Sequence, residues 1–266
     1  MKKLLLSIAI TAGVTGTALA ADIPVKAARP MLAPPVVTTN WTGCYVGAGG
    51  GYGMWNQDHY LETFPGLVPV TPSATAGGRG WFGTVQVGCD YQFANRWVVG
   101  AFGDYDFSRI KGTFNPVGTT YTGEESLRSS WAVGGRIGYL VVPQLLTYFS
   151  GGYTQARFNQ VDMTAPGVAV IGAAVVPLPG VSFGAQTYTG WFLGSGVEYA
   201  VDFLPGLFWK TEYRYSSYGA RDLPLFFTAT GLSTGDAIHS QKYVQTIRSE
   251  LVWRFNFGGG PVVASY

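Results

Sequence analysis

The segment Tyr243 to Phe257 constrains this chain more than any other. Taken alternately, one set reads Tyr243, Gln245, Ile247, Ser249, Leu251, Trp253, Phe255, Phe257, and the other reads Val244, Thr246, Arg248, Glu250, Val252, Arg254, Asn256. A strand sends alternate side chains to opposite faces. One face is therefore apolar and aromatic, and the other carries three charges. A soluble sheet would put its charges in water and bury the opposite face. Here the apolar face is too aromatic, and too many other segments repeat it. The pattern predicts an all-β fold: an eight-stranded, antiparallel, up-and-down transmembrane β-barrel with lipid outside and a polar lumen.

The start of the chain agrees with export. Lys2 and Lys3 precede the apolar run Leu4 to Val14, and Ala18-Leu19-Ala20 reads as a cleavage site. Residues 1–20 form a secretory signal peptide, too short for a spanning helix. Its removal takes two of the 17 basic residues and none of the 15 acidic ones, leaving the mature chain neutral. That balance gives no footing for nucleic acid. Charged residues are only 12% and aromatics 15%. Such a surface would be hazardous in water but is ordinary against lipid.

Residues 21–40 hold Pro24, Pro30, Pro34 and Pro35 and read as an extended periplasmic leader. The barrel is expected over 41–257, with strands at 41–56, 80–93, 97–109, 128–140, 145–158, 187–201, 207–218 and 243–257. Short connections, such as Ala94-Asn95-Arg96 and Asp202 to Gly206, alternate with long ones at 57–79, 110–127, 159–186 and 219–242. Short periplasmic turns and four long outer loops have this asymmetry. Residues 258–266 would form a periplasmic tail. Aromatics near strand ends (Trp41, Trp55, Trp81, Tyr91, Phe93, Trp97, Tyr139, Tyr199, Trp253, Phe255, Phe257) suit interfacial girdles. Trp253, Phe255 and Phe257 would also carry the assembly signal.

Several phrases carry a family resemblance: Trp41-Thr42-Gly43-Cys44-Tyr45-Val46-Gly47, Gly88-Cys89-Asp90-Tyr91-Gln92-Phe93, Gly196-Val197-Glu198-Tyr199-Ala200 and Lys210-Thr211-Glu212-Tyr213-Arg214-Tyr215. On these the chain resembles the RopB-type outer-membrane immunogenic proteins of alpha-proteobacteria, which carry an OmpA-like eight-stranded barrel. The resemblance implies an abundant, surface-exposed integral protein of the outer membrane. It brings no active-site residue with it.

The lumen of such a barrel is narrow enough for side chains to fill. Parity points Asp104, Asp106, Arg136, Glu198, Lys210, Glu212, Arg214, Arg248, Glu250 and Arg254 inward. The turn at 202–206 sets Glu198 opposite Lys210. A similar register in the last hairpin brings Glu212 and Arg214 near Arg248 and Glu250. Mixed signs favour a salt-bridged plug over a selectivity filter, which tends to show one sign. Each acid has a basic neighbour to hold it ionised, which argues against a catalytic carboxylate pair.

Cys44 and Cys89 are the two cysteines. Parity places both on the same face, Cys44 with Val46 and Ala48 and Cys89 with Val85, Val87 and Tyr91, and a register whose residue numbers sum to 133 sets them opposite each other. Export is oxidising, so a disulfide is expected. His59 and His239 fall in the first and fourth loops and could together touch haem or a metal with Tyr60, but two imidazoles alone are a weak metal signal. No catalytic residue, cofactor or metal is expected. Apolar stretches in loops one, three and four, such as Val168 to Val176 and Leu223 to Phe227, could meet a surface or envelope partner or cap the barrel.

These features predict a monomeric barrel in outer-membrane lipid, with a role in envelope integrity and surface contact. A narrow porin-like diffusion channel is the alternative. A lipid-modifying enzyme or a haem-binding surface protein ranks behind both.

Overall fold

The computed structural model describes residues 39–171 and 174–255. The signal peptide, leader residues 21–38, Phe257 and the tail 258–266 lie outside the described residues. The described chain forms β1 (Gly43–Thr63), β2 (Ala74–Phe93), β3 (Trp97–Phe114), β4 (Thr122–Val142), β5 (Leu145–Phe158), β6 (Val161–Thr164), β7 (Val168–Ile171), β8 (Ala174–Pro177), β9 (Val181–Phe183), β10 (Gln186–Ala200), β11 (Leu207–Tyr218), β12 (Arg221–Phe227) and β13 (Ser233–Phe255).

Two closed rings share one wall. In the lower ring the order is β1-β2-β3-β4-β5-β10-β11-β13, closed by antiparallel pairing of β13 with β1. Above it β5, β10 and β11 end, and the short strands β6, β9 and β12 take their places between β4 and β13. The upper ring is thus also eight-stranded. Closure pairs every edge, which a strand in lipid requires. β7 and β8 form a separate hairpin.

The lower ring carries aromatic belts on its outward face. Toward the periplasm are Tyr91, Phe93, Trp97, Tyr139, Tyr199, Trp253 and Phe255; toward the outside are Trp81, Tyr105, Phe107, Trp131, Tyr153 and Trp191, all of them exposed. The belts stand about 8–10 residues apart along each strand. At ~3.3 Å per residue and a tilt near 40°, that is roughly 20–25 Å, the height of a barrel's apolar band. Trp41 and Trp55 do not join the belts. Both are fully buried, Trp41 against Phe208 at 4.9 Å and Trp55 against Phe158 at 6.0 Å between ring centroids.

The strands run well past the sequence-based limits at their outer ends. β1 extends to Thr63 rather than 56, β2 begins at Ala74 rather than 80, and β13 begins at Ser233 rather than 243. Much of what reads as loop is therefore wall. There the apolar side turns inward, where Leu61, Phe114, Val161, Met163, Val181, Phe183, Leu223, Leu225 and Ile238 form a buried core. The outward side becomes polar, as at Asn56 and Asp58. Water replaces lipid outside the upper ring, so the alternation inverts.

Candidate functional site

The lumen is filled in tiers. The lowest is apolar, with Trp41, Val98, Leu140, Leu146 and Phe208 buried together. Next to it lies a closed ring of four charges from β2, β4, β10 and β13. Arg136 donates from Nε to Asp90 Oδ1 at 2.9 Å and from Nη2 to Oδ2, and its Nη1 donates to Glu198 Oε2 at 2.8 Å. Arg254 completes the circuit, Nη2 to Glu198 Oε1 at 2.7 Å and Nη1 to Asp90 Oδ2 at 2.7 Å. Both guanidiniums lie 4.9 Å from the Tyr45 ring centroid. Gly88 provides the room, since a Cβ there would collide with Tyr45.

A second charged tier stands above. Arg214 grips Asp104 with two parallel bonds, Nη1 to Oδ1 at 3.0 Å and Nη2 to Oδ2 at 2.8 Å, and donates from Nε to Glu212 Oε1 at 2.8 Å. Tyr148 donates to Glu212 Oε2 at 2.9 Å. Arg248 Nη2 donates to Asp106 Oδ2 at 3.1 Å. Lys210 Nζ donates to Gln86 at 2.6 Å and lies 3.6 Å from Glu250 and 3.8 Å from Glu212. A cavity of about 10 Å³ lies among Asp104, Asp106, Arg214 and Arg248, room for about one water.

Higher still, Trp55, Phe82, Ile110, Phe158, Tyr188 and Val244 form an apolar layer. Lys242 sits over it, 4.4 Å from the Phe158 centroid, donating to Glu125 at 2.7 Å and to Gln57. The apolar core of the upper ring closes the stack.

Register explains which pairs sequence reasoning reaches. Glu198 does stand opposite Lys210, and Glu212 opposite Arg248. The ionic partners of Glu198 are nevertheless Arg136 and Arg254. Glu250 stands opposite Lys210 rather than beside Arg214, which faces Thr246. In so narrow a lumen, partners come from across the barrel as often as from the next strand. Asp90, Gln86 and Tyr148 escaped the sequence reading although parity points them inward. Lys242 and Glu125 escaped it because they lie beyond the strand limits assumed for β13 and β4.

Cys44 and Cys89 are directly opposed on β1 and β2 and joined by a disulfide. They lie on the outward wall between Val46 and Val87 on one side and Phe255 and Tyr91 on the other. Trp253 and Phe255 are outward and about two-fifths exposed.

The two histidines do not share a site, and neither lies in a loop. His59 is on β1, faces inward, is buried, and packs in a tilted arrangement on Phe114, 4.7 Å between ring centroids. His239 is on β13, faces outward, and stacks on Tyr60 at 4.7 Å. Strand alternation separates them. His239 Nδ1 instead lies 2.6 Å from Asp222 Oδ1. Glu62 adds a nearly buried carboxylate, and one ligand atom from each of the three lies within 4.8 Å of the others. Burial first, and the Asp222 carboxylate second, push the Glu62 carboxyl up from its ordinary value. The trio lies on the upper ring, about ten residues above the outer aromatic belt along β1.

A closed antiparallel ring with two outward aromatic belts and a polar lumen defines an integral outer-membrane β-barrel. This chain belongs to the family described as outer membrane protein beta-barrel domain, which matches residues 17–255. It is 29% identical over 229 residues to the 31 kDa outer-membrane immunogenic protein of Brucella melitensis biotype 1, covering 84% of this chain and 90% of that protein. The protein of the same name from Brucella suis biovar 1 gives the same figures. Among solved structures, the outer membrane protein OprG from Pseudomonas aeruginosa superposes with a TM-score of 0.52 at 11% identity, over 82% of this chain and 99% of that one. That likeness is one of fold. The protein resides in the outer membrane.

Proposed function

We propose that this protein is a sealed, non-catalytic barrel that stiffens the outer membrane and presents its outer cap for surface contact. The observation that carries the reading is the ring Asp90–Arg136–Glu198–Arg254, which spans the lumen with apolar tiers on either side of the charged stack. Six buried cations face seven buried carboxylates within the lumen: Arg136, Lys210, Arg214, Lys242, Arg248 and Arg254 against Asp90, Asp104, Asp106, Glu125, Glu198, Glu212 and Glu250. A conducting filter needs a wetted path and tends to carry one sign. Charges paired at hydrogen-bond distance hold each other in place instead.

The non-catalytic reading rests on the outer cluster. Among the described residues, no serine, threonine or cysteine hydrogen-bonds to the His239 ring, so the Asp222–His239 pair has no side-chain nucleophile in reach. The surface role rests on apolar tips left in water. Val68 and Val70 beyond β1, Val168 and Val175 on the β7–β8 hairpin and Leu232 before β13 are each more than half exposed. These tips would meet an envelope or host-surface protein.

Liposome swelling tests the sealed lumen. Vesicles bearing the refolded protein should swell in small sugars or amino acids no faster than empty vesicles. Size-dependent swelling would overturn the reading in favour of a diffusion channel.

A further inference from the structure

The outward charges of the barrel are segregated. Arg79 on β2, Arg109 and Lys111 on β3, Arg128 on β4 and Arg157 on β5 are all exposed on one half of the wall. Each stands two to four residues beyond an aromatic of the outer belt: Arg79 beyond Trp81, Arg109 and Lys111 beyond Phe107, Arg128 beyond Trp131, Arg157 beyond Tyr153. That is roughly 7–13 Å along the strand, the depth at which lipid headgroups meet the wall. The remaining half carries Thr187, Thr189, Ser217 and Gln241 at comparable positions. Its outward acids, Asp58, Glu62 and Asp222, stand on β1 and β12, with a single exposed base, Arg221, at the start of β12.

The basic half is also short of counter-charge. Glu124 on β4 and Asp162 on β6, which takes the place of β5 beside β4, are the acids on its outward face, and Glu124 pairs with Lys111 at 2.6 Å where both are more than half exposed. Among the described residues, Arg79, Arg109, Arg128 and Arg157 make no ion pair. Arg79 and Lys111 are directly opposed across β2 and β3. Like charges so placed repel. Arg128 projects at the irregularity between Leu127 and Ser129, which sets it next to Arg157, the partner of Ser129. The patch is therefore contiguous over four strands. This is a local concentration of positive charge in which, among the described residues, Lys111 alone has an acidic partner.

We propose that this half-belt is a docking site for the phosphate groups of outer-leaflet glycolipid. The aromatic belt fixes the depth, so a lipid whose chains lie against Trp81, Phe107 and Trp131 has its headgroup beside the arginines. Guanidiniums bind phosphate bidentately, and four of the five groups are arginine. Phosphates bridging Arg79 to Lys111 and Arg128 to Arg157 would relieve the repulsion. The acidic opposite half would not hold such lipids, so the barrel carries an oriented lipid annulus. The inference needs only the membrane placement of the barrel and is independent of whether the lumen is sealed.

The test uses the refolded protein in neutral detergent, with lipid A added as phosphorylated or dephosphorylated species and inorganic phosphate as a third arm. Binding is read as a shift in the thermal midpoint of the folded band on unheated gels. Wild type should shift with phosphorylated lipid A alone, and high salt should weaken the shift. The variant R79Q/R109Q/R128Q/R157Q should bind about 600-fold more weakly, at about five-fold for each of the four basic groups near an anionic surface. The Lys counterpart R79K/R109K/R128K/R157K should keep most of the effect. Heat-modifiability of each variant reports its folding independently of lipid. Equal shifts with dephosphorylated lipid A, an equal response to free phosphate, or an undiminished shift in a folded Gln variant would each overturn the proposal.

Discussion

Arg136 on β4 and Glu198 on β10 meet across the lumen, Nη1 to Oε2 at 2.8 Å, although all of β5 lies between their strands in the wall. The contact exists because an eight-stranded ring is only a few side chains wide. It converts a strand-by-strand ladder into a cross-brace. Glu198 also accepts from Arg254, so one carboxylate ties β4, β10 and β13 together. Its removal leaves two buried guanidiniums to share Asp90 alone.

Glu198→Ala should therefore destabilise the barrel by about 3–5 kcal/mol, the usual cost of breaking a buried pair from one side. Asp90, which both arginines also contact, would keep the loss toward the lower figure. Glu250→Gln should cost about 1 kcal/mol or less, because Glu250 accepts no hydrogen bond and its nearest cation, Lys210, is 3.6 Å away. Urea unfolding in detergent micelles measures both. Equal midpoints for the two variants would show that the cross-brace contributes nothing special.

Much of this wall was legible in the alternation. The limits of β5 and β11 coincide with the sequence-based ones, because each starts after a short turn containing proline. The outer ends were illegible for a definable reason. In lipid the apolar set faces out, so the eye follows Tyr243, Ile247 and Leu251. Ten residues earlier on β13, Ile238 faces in and His239 faces out. A reader following one apolar face loses it where lipid gives way to water and records a loop. Lys242 and Glu125 were hidden by that change. The cross-lumen partners were hidden differently: register places neighbours, whereas Arg136 and Glu198 are brought together only by closure and curvature.

The Cys44–Cys89 bond joins residues already held by the β1–β2 ladder, so it adds little to a closed ring. C44S/C89S should fold and remain heat-modifiable, with a midpoint slightly below that of wild type. In the unreduced, unfolded wild-type chain a thiol reagent should label neither cysteine. Two labels per chain would contradict the bond.

Glu62 should make the outer cap pH-dependent. Burial and Asp222 raise its folded-state value above the ordinary 4.5. The folded cap thus binds a proton more tightly than the unfolded chain. The stability it contributes is full below the unfolded value and is lost as pH rises through the raised folded one. Amide exchange in β12 and the outer end of β13 should accelerate with pH, after correction for the intrinsic rate, and Glu62→Gln should flatten that dependence. A flat wild-type profile would remove Glu62 as its source.

The closing strand makes an assembly prediction. Phe255 pairs with Cys44 at the foot of the β1–β13 seam and continues the outward series from Trp253. Truncation after Phe257 should preserve insertion, and replacing both Phe255 and Phe257 with serine should leave the chain unassembled in the periplasm. Loss of insertion on truncation alone, with normal insertion of the serine variant, would assign the signal to Tyr266.

Planar-bilayer conductance of the refolded protein tests the central claim most directly. The packed lumen predicts no steady, ion-selective current in the wild-type barrel. The E198A and E212A variants, which loosen the two charged tiers, should show brief openings at most. A stable, reproducible conductance in wild type, altered in selectivity by E198A, would contradict the account and make the charged tiers a filter rather than a plug.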